Sequence, residues 1–165
     1  MMQVILRQGN LYMLQGRDPS KLFNLCNNTK NQGGKILCIT RIHPNQLKEE
    51  YGIPQDQTIW ISQTVGSRNI NPQNMGILTE TVVRFLSTNV KSIVFLEGLE
   101  YLMAQNDFTK ILKFINHVYE AVAINKSIMV FSMDPRAFSA REIAFLEKCA
   151  VAIDENDEVI IRMSD

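Results

Sequence analysis

Glu97 and Glu100 are the residues in this sequence best placed to do chemistry. They sit in SIVFLEGLEYL, Ser92 to Leu102, where an apolar run of strand length stops abruptly at Glu97-Gly98 and a second acid follows three residues on. An acid at the exit of a buried strand is where phosphate-processing enzymes hold Mg²⁺ or activate water, so the stretch raises the question of nucleotide hydrolysis. Hydrolysis also needs a phosphate cradle. The pattern that serves is G-x-x-x-x-G-K-[ST] between a strand and a helix: glycines let backbone N–H groups surround the phosphates, the Lys meets their charge and the hydroxyl holds the metal.

The place to look for that cradle is LYMLQGRDPSKLFNL (11–25). Gly16 opens the turn and Ser20-Lys21 follow, but the loop is one residue short, Ser20 stands where the second glycine belongs, and Leu22 replaces the metal-holding hydroxyl. Asp18-Pro19 reads as an N-cap followed by proline at the first helical position, so the Asp18 carboxylate would occupy the N–H groups that a phosphate needs. Gly16, Ser20 and Lys21 are therefore read as a degenerate remnant, with Lys21 a solvated side chain or ion-pair partner. No catalytic residue, cofactor or metal is expected. Glu97 and Glu100 are expected instead to cap the start of the following helical turn or to pair with loop arginines. Gly98 permits the sharp turn, and Leu99, Tyr101 and Leu102 pin it by burying apolar surface.

Other reactive side chains read as structural. Lys35 in QGGKILCIT follows Gly33-Gly34, which end a helix, and begins a strand rather than a helix, so it lacks the phosphate-loop context. His43 precedes Pro44 and His117 falls on a polar helix face; neither has a second ligand at metal-binding spacing, and both read as surface histidines. Cys26, Cys38 and Cys149 show no Cys-x-x-Cys spacing and read as reduced, mostly buried small side chains. No G-x-S-x-G nucleophile elbow is present.

The elements that must position these residues alternate. Apolar runs of strand length at 11–15, 35–40, 58–63, 92–97, 127–133 and 159–163 are separated by stretches of helical period. Continuous rather than alternating apolarity predicts strands covered on both faces, as in a parallel sheet with crossover helices. Phe108, Ile111, Leu112, Ile115, Val118, Tyr119 and Val122 share one helical face, with Thr109, Lys113, Asn116, His117 and Glu120 opposite. Met75, Leu78, Val82, Phe85 and Leu86 repeat the spacing after Pro72, and Ser139-Ala-Arg-Glu142 is a capping box opening a helix through about Cys149.

Composition narrows the classes. The 165 residues are 45% apolar and 21% charged, with 17 basic against 17 acidic side chains, which fits one α/β domain over residues 1–165. Without a basic run, nucleic acid is not an expected partner, and neither is an anionic membrane. No apolar run approaches the about 20 residues that span a bilayer, and MMQVILRQGN lacks the apolar stretch of a secretory signal, so a cytoplasmic location is expected.

Five segments together resemble a known family: YMLQGRDPSKLF, GGKILCITRIHP (33–44), IWIS (59–62), VFLEGLEYLMAQNDF (94–108) and SMDPRAFSAREIAFLEK (132–148). They resemble the archaeal family catalogued as domain of unknown function 835, which is similar to RecA-like ATPase cores that have lost their phosphate loop. The resemblance covers nearly the whole chain, with Glu97 where the family mostly has Asp. It implies a three-layer RecA-like sheet with helices on both faces, often attached in relatives to sensory or signalling modules, and no established chemistry.

In such a sheet the loops after the strand carboxyl ends line the ligand crevice. Here those loops carry mixed charge, Arg17, Asp18, Arg41, His43, Arg68, Glu97, Glu100, Asp134 and Arg136, and read first as an internal ion-pair network. If an anion binds, Arg41, Arg68 and Arg136 are the candidates, because guanidinium groups hold phosphate or carboxylate in bidentate fashion. The expectation is a non-catalytic signalling or interaction domain, a pseudo-ATPase working through protein partners or self-association. The alternative is a residual nucleotide- or anion-binding domain built on the arginine-bearing loops.

Overall fold

The computed structural model describes residues 2–29 and 34–163. Seven strands form one wholly parallel sheet: β2 (Asn10–Gln15), β3 (Ile36–Thr40), β4 (Thr58–Ile61), β5 (Asn69–Ile70), β6 (Ile93–Leu96), β7 (Ile128–Met133) and β8 (Ala150–Asp154). Their order is β5-β4-β3-β6-β7-β2-β8. The strand that ends at Glu97 is the fourth of seven, and Val94 and Leu96 are buried in the middle of the sheet. β1 (Gln3–Leu6) and β9 (Glu158–Ile161) pair with each other in a separate parallel ribbon.

The continuous apolar runs follow from burial on both faces. In β6, Ile93 and Phe95 face one core while Val94 and Leu96 face the other. The same division separates Tyr12 and Leu14 from Leu11 and Met13, and Ile128 and Val130 from Met129 and Phe131. One core is closed by α1 (Ser20–Thr29), α2 (Pro44–Tyr51) and the β1–β9 ribbon, through Leu22, Phe23, Leu47, Leu6 and Ile161. The other is closed by α3 (Met75–Thr88), α4 (Leu99–Gln105), α5 (Phe108–Ile124) and α6 (Ala140–Leu146). Both faces of a parallel sheet must be covered because its strands carry apolar side chains on both.

Local chemistry sets the helix starts. Asn74 accepts from the Ile77 N–H at 3.2 Å and Asp107 from the Lys110 N–H at 3.0 Å. The expected capping box is present, Ser139 Oγ accepting from Glu142 N and Glu142 Oε1 from Ser139 N. The helix after it ends at Leu146, short of the expected Cys149. On α5, Ile111, Phe114, Ile115, Val118, Ala121 and Val122 are buried. Tyr119, assigned by spacing to that face, is 41% exposed, because Phe114 and Ala121 centre the buried stripe away from it.

One strand expectation is revised, and β1, β5 and β8 lie outside the runs read as strands. The run 159–163 is a strand only over Glu158–Ile161 and lies outside the main sheet, paired to β1. β5 has two residues and β8 is an edge strand with Val151 and Ala152 exposed, and neither lies in a run read as a strand from the sequence. The helix end assigned to Gly33-Gly34 lies partly outside the described residues; Gly34 has φ +90° and Lys35 immediately precedes β3. Cys26 and Cys38 are buried free thiols, and Cys149 is half-buried with its Sγ 2.9 Å from Asn116 Oδ1. Among the described residues, no helix is long and apolar enough to cross a membrane.

Candidate functional site

All seven strands of the main sheet run the same way, so their carboxyl ends share one edge, where the exits of β2, β3, β6 and β7 carry the sequence candidates. The turn after β2 is filled by the chain itself. Gly16 N donates to Met133 O at 3.0 Å, Arg17 N to Glu155 Oε2 at 3.2 Å, and Ser20 N to Asp18 Oδ1 at 3.0 Å. A side chain at position 16 would place its Cβ 2.8 Å from Glu155 Cβ, so glycine is required there by the approach of Glu155. The Lys21 ammonium donates to the Asp157 carbonyl. Ser20 and Lys21 thus belong to a turn whose donors are already taken by acidic side chains and a carbonyl.

One detail of that turn differs from the sequence reading. Pro19 O accepts the first helical bond, from Phe23 N at 3.2 Å, and α1 begins at Ser20. Asp18 therefore stands one residue before the cap and satisfies the first N–H of the helix rather than a later one. The Ser20 backbone N–H and then its hydroxyl hold the Asp18 carboxyl below its ordinary range. Glu155 was missed by sequence reasoning. It sits in the turn after β8, 138 residues from Arg17, and only the β2–β8 pairing brings it to Gly16.

Glu97 is 7% exposed and accepts the Thr40 hydroxyl at 2.8 Å, while Thr40 Oγ1 accepts from Ile42 N at 2.9 Å. Burial pushes its pKa up; the Thr40 bond, the Arg41 charge and the Arg41 backbone N–H pull against that, and Glu100 adds to it. Glu100 Oε1 accepts from Asp134 N at 3.2 Å, and Gly98 N donates to Ser132 Oγ at 3.1 Å. Neither acid caps α4. Gly98 occupies the cap itself in the left-handed region, φ +81°, with no side-chain cap bond. The expected local cap is replaced by reach across strands: Glu97 holds the exit of β3, and Glu100 holds the exit of β7.

The three arginines are not brought together. Arg68 precedes β5 and so lies towards the amino end of the parallel strands, not at their carboxyl ends; its Nε donates to Thr58 O and its Nη2 to Asp56 O, each at 2.9 Å. The displacement arises because β5 is only two residues long and offers no sequence signal for which end of a strand Arg68 occupies. Arg136 grips Asp134 with two donors, Nε to Oδ1 at 3.0 Å and Nη2 to Oδ2 at 2.7 Å, and holds the Asp134 carboxyl at about 2. Arg41 follows β3, with its guanidinium carbon 5.3 Å from the Tyr101 ring centroid.

Of the histidines, His43 does more than sit at the surface. Its Nδ1 accepts from Asn45 N at 3.1 Å as the cap of α2, and its ring meets Trp60 edge-on at 4.8 Å between centroids. His117 is exposed on α5 with Nδ1 3.0 Å from Lys113 O. Among the described residues, no three His, Cys, Asp or Glu side chains cluster as metal ligands would. Away from the strand ends, a hollow of about 570 Å³ lies between α3 and α5 over Met75 and Phe114.

Comparison with known proteins extends this picture. The fold is similar to that of the Project ID PH0250 protein of Pyrococcus horikoshii OT3, at a TM-score of 0.61 and 14% identity over 92% of this chain and 84% of that one. It is equally similar to the flagellar accessory protein FlaH of Methanocaldococcus jannaschii, at a TM-score of 0.61 and 13% identity over 90% of this chain and 72% of that one. The architecture is the three-layer α/β arrangement, a parallel sheet with helices on both faces, that the family resemblance implied. No curated protein matches the sequence. Residues 17–149 match the family model described as Protein of unknown function (DUF835), and the chain belongs to that family.

Proposed function

We propose that this chain is a non-catalytic RecA-like domain that acts through protein contacts, by self-association or by docking to regulatory proteins. The observation that carries the reading is the occupied turn after β2, where Glu155 takes the Arg17 N–H and Asp18 takes the Ser20 N–H. A triphosphate arriving there would meet two carboxylates in place of free donors, with Lys21 already turned to the Asp157 carbonyl. Leu22, at the position of the metal-holding hydroxyl, has no side-chain oxygen to offer a metal and is fully buried in the core. Glu97 and Glu100, the acids that would otherwise serve Mg²⁺, have hydrogen-bonding work between loops.

The test is thermal melting with ATP, GTP and cyclic nucleotides, with and without Mg²⁺. A ligand that binds the native state raises the midpoint with its concentration. The expected result is an unchanged midpoint in every mixture, together with no ATP turnover above background. A nucleotide-dependent rise, or a turnover that disappears in Glu97→Gln, overturns the proposal.

A further inference from the structure

We infer that the hollow between the exits of β3 and β4 and the first turn of α4 is a binding site for a small organic anion, a flat ring bearing a carboxylate or phosphate. The inference does not depend on the docking role. The hollow has a volume of about 310 Å³ and is lined by Arg41, Trp60, Ile61, Ser62, Gln63 and Tyr101. It lies at the edge where open α/β sheets take their ligands, and its size is at the small end of the roughly 300–1,000 Å³ typical of ligand pockets.

Charge selects an anion. Arg68 and Arg136 have given their side-chain donors to carbonyls and to Asp134, whereas the Arg41 guanidinium donates to no described residue and rests against the Tyr101 ring. Contact with a ring positions the guanidinium without supplying the oxygen acceptors that its N–H donors need. Among the described residues, no carboxylate lines the hollow. Glu97 feels the charge of Arg41, but its carboxyl is buried against the Thr40 hydroxyl, and that burial opposes its ionisation. An oxyanion in the hollow would accept from the fork of Arg41 in bidentate fashion.

The walls select a ring. Trp60 is half-buried and its Nε1 donates to Arg41 O at 3.0 Å, while His43 packs on it edge-on. Tyr101 is held in the first turn of α4. Two aromatic side chains fixed before the ligand arrives lose little rotamer freedom on binding, which favours stacking of a flat apolar body. Ser62 and Gln63 complete the lining with a hydroxyl and an amide for the polar rim.

The chain contains one tryptophan, so Trp60 emission reports on this hollow alone. The probes are benzoate and phenyl phosphate, with phenol and inorganic phosphate as their two halves. The expected result is a saturable change in Trp60 emission with an aryl anion, at an affinity about tenfold above that of either half. The tighter of the two aryl anions identifies the head group. Arg41→Gln should weaken the better probe by about tenfold, and Arg136→Gln should leave it unchanged. Should Arg41→Gln fail to fold, Arg41→Lys keeps the charge and loses the planar fork, and a several-fold loss is expected. No saturable change up to about 10 mM, phenol binding as tightly as the aryl anions, or affinity unchanged by either Arg41 substitution overturns the inference. These signals are read with simple aryl anions and no nucleotide, so their failure is separate from a failure of the docking proposal.

Discussion

Glu97→Ala lowers the melting midpoint by roughly 10 °C, and neither the parent nor the variant responds to Mg²⁺ or EDTA. The substitution removes the acceptor of the Thr40 hydroxyl and of the Arg41 N–H in a buried setting. Leaving buried donors unsatisfied costs about 1–3 kcal/mol each, reduced here because Thr40 can turn to other acceptors, for a net loss of about 3 kcal/mol. For a chain of this size each kcal/mol is worth roughly 2–4 °C. Glu97→Gln retains an acceptor oxygen and should lose much less. A parent stabilised by millimolar Mg²⁺, with that gain abolished by Glu97→Ala, would show that the acid holds a metal.

The same residue sets a pH signature. Burial raises the Glu97 pKa in the folded state, so between the ordinary carboxylate range and that raised value the native protein holds more protons than the unfolded chain. Its contribution to stability therefore declines as pH rises through that window and is level on either side. The Gln variant lacks this slope, which denaturation curves across mildly acid pH resolve. Asp134 acts in the opposite sense: with its carboxyl at about 2 in the folded state, its contribution is lost as pH falls from the unfolded value near 3.8 towards 2.

Phe95→Ala is the second large effect. Phe95 is fully buried on β6, in the core closed by α1, α2 and the terminal ribbon. Truncating a buried Phe removes transfer free energy and leaves a cavity, typically 3–5 kcal/mol, and the middle strand of seven has little freedom to collapse around it. Urea denaturation should show the midpoint falling by that equivalent with an unchanged m value. A loss under about 1 kcal/mol would mean that the centre of the sheet is not close-packed at this position.

The strands that were legible in the sequence are those buried on both faces. KILCIT, SIVFLE and SIMVFSM have no solvent face to interrupt them, so their apolarity is continuous and their length diagnostic. β8 was not read as a strand although AVAID is apolar over its first four residues: it follows directly on the stretch assigned to the helix through about Cys149, and as an edge it exposes Val151 and Ala152. α2 buries only Leu47, too little to establish a helical period, although His43-Pro44 marks its start. The site divided along the same line. The acidic strand end and the defective phosphate turn were readable because each is a local string. Their partners were not: Glu155 against Gly16, Thr40 against Glu97 and Asp134 against Glu100 are set by strand order.

The β1–β9 ribbon has a mechanical consequence. Its strands are parallel, in register from Gln3 beside Glu158 to Leu6 beside Ile161, and they hold the first and last strands of the described chain. Tension applied at Met2 and Met163 pulls β1 towards its start and β9 towards its end. The two strands are then loaded in shear, so their ladder bonds share the force instead of parting one by one. A pull applied across the ribbon would peel them in sequence at lower force. Single-molecule stretching from these two attachment points should meet the ribbon as the first barrier. Glu158 N donates to Met2 O and Arg162 N to Leu6 O, so the donors of β9 fall on alternate residues, and Ile160→Pro, which removes the ladder N–H between them and imposes a fixed φ, should lower that barrier. The terminal pairing is therefore a clasp: whatever is joined beyond these strands transmits its load to the shear-resistant ribbon before the load reaches the seven-stranded sheet.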